Sequence, residues 1–86
     1  MHLPRSIILL IEKQGYDANT RQIVTTAFDG AWMRIEGSGR TRRPDFRPEA
    51  TQAALLRRIF EAVSKGERNP KSLADVAVNY LTWKRV

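Results

Sequence analysis

The chain has no cysteine and a single histidine, His2, among its 86 residues. That excludes disulfides, thiolate zinc sites and thiol nucleophiles, and leaves a histidine-based metal or acid–base centre without a partner. A domain this small buries a smaller share of its surface than a larger one, so without cross-links its stability rests on packing or self-association. Long apolar runs are missing as well. The longest is Ile7-Ile8-Leu9-Leu10-Ile11, far short of the ~20 residues that span a bilayer, and it lacks the length and small-residue cleavage site of a signal peptide. The expectation is a cytoplasmic protein forming one helical domain over 1–86, with no membrane span.

Phosphate-binding signatures of the GxxxxGK and GxGxxG types are absent, and Gly37-Ser38-Gly39 before Arg40 reads as a connector. The carboxylates Asp29, Glu36, Glu61, Glu67 and Asp75 are scattered, with no DxD, ExxH or paired spacing to converge an acid and a base. Each is read as a surface charge. Asp75, with Ser72 three residues earlier, also suits the electropositive start of a last helix. No catalytic, cofactor-binding or metal residue is assigned, no cofactor is expected, and the protein is not expected to be an enzyme.

What the chain does have is helix punctuation. Asp45-Phe46-Arg47-Pro48 and Asn69-Pro70 have the acceptor and proline chemistry of helix starts, while Gly37-Ser38-Gly39 and Lys65-Gly66 have the glycines that end helices. Between Asp17 and Glu36, Val24, Phe28, Ala31 and Ile35 recur at a spacing that only a helix gathers on one face. Asp17 is the expected N-cap, with Asn19 and Gln22 as a rival capping box. Gly30 lies inside this helix, which costs ~1 kcal/mol relative to alanine; either something packs closely there or the glycine is merely tolerated.

From about Phe46 to Lys65, residues Gln52, Leu55, Leu56, Ile59, Phe60, Ala62 and Val63 share one broad face, with Arg57, Arg58 and Glu61 pointing away. The last helix, Pro70 to about Lys84, is apolar nearly all round, which makes it the central helix or a subunit interface. Phe28, Trp32, Tyr80 and Trp83 are read as core. The Ile7–Ile11 run fits a short strand or a short helix by periodicity. Pro4 and Gly15 favour helix, and no second strand is available to pair with. The predicted fold is an all-α bundle of three long helices plus a short N-terminal helix, with Ile7, Ile8, Leu9, Leu10 and Ile11 covered either by the chain itself or by a second copy.

Ala27-Phe28-Asp29-Gly30-Ala31-Trp32, together with Lys65-Gly66-Glu67-Arg68-Asn69-Pro70 followed by Leu73, Ala77, Tyr80 and Leu81, resembles a set of short bacterial proteins. These share an AFDxAW-like helix and a (K/R)GER turn and have no assigned activity. The resemblance covers Tyr16 to about Leu81 and implies an all-helical fold and a bacterial source, but no site. The N-terminal apolar segment is not part of it.

Fifteen Lys and Arg against nine Asp and Glu leave a formal charge of +6, which favours anionic partners. Arg40, Arg42, Arg43 and Arg47 face only Asp45 nearby, and with Arg57 and Arg58 they form a candidate nucleic-acid surface, since guanidinium groups pair well with phosphates. Against it, about seven residues separate the second long helix from the last, where a helix-turn-helix has roughly three or four. Glu67-Arg68 reads as a device that fixes the helix angle. The leading expectation is a non-enzymatic interaction or regulatory protein, self-associating through Ile7–Ile11 or the last helix. A small basic nucleic-acid-associated protein is the alternative.

Overall fold

The described residues form four α-helices: α1 (Arg5–Lys13), α2 (Ala18–Gly37), α3 (Pro48–Ser64) and α4 (Pro70–Lys84). The computed structural model describes residues 3–39, 42 and 44–84, with the side chains of 82–84 left aside. Trp83, expected in the core, therefore lies outside the described side chains. Among the described residues there is no strand, so the apolar N-terminal segment is helical, as Pro4 and Gly15 indicate.

The caps explain where the helices begin. Asp17 accepts a hydrogen bond from the Thr20 backbone N–H at 2.8 Å, satisfying one of the free donors of the first turn of α2. Hydrogen bonding from Thr20, side chain first and this backbone N–H second, holds the Asp17 carboxyl below its ordinary pKa. Asn69 caps α4 through Oδ1, which accepts from Lys71 N at 2.9 Å and Ser72 N at 3.1 Å. Helix α3 starts later than expected. Asp45 lies outside it, and Arg47 is the N-cap with no side-chain hydrogen bond, because Pro48 at the first helical position forces its predecessor into extended backbone.

The turn after α3 is a Schellman closure. Glu67 N donates to Ala62 O and Gly66 N to Val63 O, both at 3.0 Å, while Gly66 takes the left-handed φ of +103° that this closure requires. Arg68 Nη1 locks the same turn by donating to Val63 O at 2.8 Å and Glu67 O at 2.9 Å. Glu67 Oε2 accepts from Arg68 N and Asn69 N at 3.2 and 3.1 Å. The connection is five residues, Lys65 to Asn69, shorter than the seven expected, because the helix closes at Ser64 and Asn69 opens the next at once. The Glu67-Arg68 pair thus sets the approach of α4 to α3.

Helix α4 packs against both α2 and α3, and α1 lies across α2 and α3. The core is Val24, Ala27, Phe28, Ala31 and Ile35 from α2, Leu55, Leu56, Ile59 and Val63 from α3, Leu73, Ala74 and Ala77 from α4, and Ile7 and Ile11 from α1. Leu81 is only partly buried at its edge. At the rim, Tyr16 meets Phe60 edge-on at 5.9 Å, and burial pushes its hydroxyl above the ordinary pKa. Trp32 lies against Phe46 at 6.1 Å, so the loop before α3 is pinned by an aromatic contact.

Candidate interaction surfaces

Helix α1 is too short to stand alone, since isolated helices below ~12–15 residues are marginal in water. It also begins badly: Pro4 gives no side-chain cap, no acidic residue occupies its first turn, and Arg5 sits at the positive end of the helix dipole. What holds it is tertiary contact through Ile7 and Ile11, one turn apart and both buried. A single helix anchored along one line cannot also bury the residues between those anchors. Ile8, Leu9 and Leu10 are accordingly 40%, 50% and 40% exposed. The expectation that all five aliphatic residues are covered therefore fails within one chain: two are core and three face out.

Beside Ile8, α1 and α2 enclose a surface groove of about 540 Å³ lined by Leu3, Ile8, Glu12, Arg21 and Thr25 among others. Arg5 and Glu12 are exposed, and neither forms an ion pair or side-chain hydrogen bond with another described residue.

The arginine surface is divided. Arg40 and Arg43 lie outside the described residues. Arg42, Arg47 and Arg57 are exposed. Arg58 does not point away as its periodicity suggests: its guanidinium lies 3.4 Å from the centre of the Tyr80 ring, and Nη1 donates to Glu61 Oε1 at 2.8 Å. Contact with Tyr80 first, then Glu61, raises its pKa further. A cation already stacked and paired has fewer donors left for a phosphate. The α3 spacing cannot reveal this contact, because Tyr80 belongs to another helix.

Two features are invisible to periodicity in the same way. Arg34 pairs with Asp75 across α2 and α4, which gives Asp75 a tertiary partner in place of a purely local role at the helix start. Val76 is 45% exposed on α4, so that helix is buried on two sides and not all round.

Gly30 has no close neighbour. A Cβ there would meet nothing within 4 Å, which leaves the tolerated reading. It borders a groove of about 660 Å³ with Thr26, Arg34, Pro70, Lys71 and Ala74.

Among the described residues, no group of three or more His, Cys, Asp or Glu side chains could hold a metal ion, and no helix is long and apolar enough to cross a membrane. Both motifs behind the bacterial resemblance do architectural work: Ala27, Phe28 and Ala31 fill the core, and Lys65–Pro70 builds the turn into α4. No family model matches the chain, and neither a curated protein nor a solved structure is significantly similar to it.

Proposed function

We propose that this is a non-enzymatic interaction protein of the bacterial cytoplasm, and that it binds protein through the outer side of α1. The observation that carries the reading is the exposure of Ile8, Leu9 and Leu10 on a helix whose other aliphatic residues are anchored in the core. Exposed aliphatic side chains grouped on one short helix mark a surface that a partner covers, and such a helix, with Ile8 and Leu9 on one flank and Leu10 on the other, suits a helical partner or a groove. Met33 and Val76 are exposed singly on other helices and need no such explanation.

The test is site-specific photocrosslinking in cells. A crosslinker at Leu9 should give protein adducts, whereas one at Ala53, exposed on α3, should give few. Equal yields at the two positions, or none at either, refute the reading.

The exposure of Arg42, Arg47 and Arg57 supports a second reading, in which the chain is a small basic nucleic-acid-associated protein. Arg40 and Arg43 would join these three on sequence grounds, and Arg58 contributes least because it is already engaged.

A further inference from the structure

We propose that the occupant of the outer side of α1, on the flank that carries Ile8 and Leu9, is a second copy of this chain, docked antiparallel about a two-fold axis that passes between Ile8 and Leu9. The inference rests on the reading of α1 as an interaction surface and adds the partner, the orientation and the register.

Four residues define the docking face. Arg5, Ile8, Leu9 and Glu12 are spaced i, i+3, i+4 and i+7, so they form one stripe along a face of α1. Read from either end, the stripe is a charge, two aliphatic residues and the opposite charge. Laid antiparallel on its own copy, it is self-complementary: each Arg5 meets the other copy's Glu12, and each Ile8 meets the other copy's Leu9. An isologous interface requires this property, because the same patch must serve both subunits. Parallel docking fails the test by placing Arg5 on Arg5 and Glu12 on Glu12. The opposite flank, Ser6, Leu10 and Lys13, has no carboxylate to offer.

Two further observations fit. Arg5 and Glu12 are the charged ends of the stripe, and both are exposed without an ion pair among the described residues. Ile8 and Glu12 also line the groove between α1 and α2, which gives the partner's aliphatic side chains a depression to enter. A matched contact is needed, since each copy carries a formal +6 and copies repel one another at long range. The interface is small, because nine residues of helix extend only about 14 Å. It falls below the size of stable interfaces, so the dimer is weak and reversible, with a dissociation constant of roughly 100 µM.

Charge exchange tests the register. In sedimentation velocity from about 10 µM to about 1 mM, wild type should shift from monomer to dimer. Arg5→Glu and Glu12→Arg alone each replace two attractions by two repulsions, and each should weaken the dimer by about tenfold or more. An equimolar mixture of the two single variants should dimerise again, as should the double variant R5E/E12R. Unchanged helicity by circular dichroism checks that the variants fold. Because the chain has no cysteine, Leu9→Cys gives an independent readout: it should form a disulfide dimer under mild oxidation, whereas Lys13→Cys, far from the axis, should not.

A wild type that stays monomeric throughout overturns the proposal. So does a mixture or double variant no stronger than the single variants, or equal oxidation at positions 9 and 13. A Leu9 photoadduct with a different protein, together with a monomeric wild type, overturns the second copy while leaving α1 as an interaction surface. No adduct at all removes both.

Discussion

Replacing Gly30 with alanine should make the protein more stable. The residue sits in the interior of α2, its φ is not in the left-handed region, and a Cβ there would meet no atom within 4 Å. Alanine then keeps the helical backbone while reducing the freedom of the unfolded chain, a gain of about 0.5–1 kcal/mol. For a domain of this size, 1 kcal/mol moves the melting temperature by about 4–8 °C, so the expected rise is about 2–8 °C. Gly66→Ala is the matched control with the opposite sign. It also has open space around it, but its φ of +103° makes a side chain costly by about 1–2 kcal/mol. Thermal melts followed by circular dichroism, with urea titrations to check that the slope is unchanged, give both values. A lower melting temperature for Gly30→Ala at native helicity would refute the reasoning, since it would mean that something occupies the groove beside Thr26, Pro70 and Ala74.

Ile59 is fully buried, so Ile59→Ala should cost about 2–5 kcal/mol in urea unfolding; a loss under about 0.5 kcal/mol, typical of surface sites, would contradict its place in the core. Hydrogen bonding from the Thr20 side chain and then its backbone N–H lowers the Asp17 pKa in the folded state, so the contribution is complete above the ordinary carboxylate range and is lost as pH falls through the folded value. Melting temperature should therefore fall more steeply for wild type than for Asp17→Asn when pH drops below about 4, and parallel curves would remove Asp17 as a titrating cap. If the arginine surface binds nucleic acid, the wild-type log–log salt slope should be roughly −3 to −4. Changing Arg40, Arg42 and Arg43 together to alanine should then reduce its magnitude by about three units, and equal affinity of the two proteins would leave the arginines as solvated charge.

The four helices were legible in the sequence because the forces that start and stop them are local. Asp17, Asn69-Pro70 and Gly66 act within a turn or two of themselves, and the Val24, Phe28, Ala31, Ile35 stripe is a consequence of 3.6 residues per turn. For Ile7–Ile11, periodicity leaves strand and helix open, and Pro4 and Gly15 only tilt the balance toward helix. Where α3 begins was less legible, since Asp45 looks like a cap until Pro48 fixes Arg47 as the last extended residue.

What only the tertiary structure decided is which apolar and charged groups are already occupied. Pro4 and Gly15 favour helix for Ile7 to Ile11, but only the position of α2 and α3 says that Ile7 and Ile11 are core while Ile8, Leu9 and Leu10 remain outside. Arg58 reads as a free surface cation until Tyr80 comes beneath it, and Asp75 reads as a local charge until Arg34 reaches it from a residue 41 positions earlier. Burial and pairing depend on neighbours distant in sequence, and one-dimensional spacing carries no information about those neighbours.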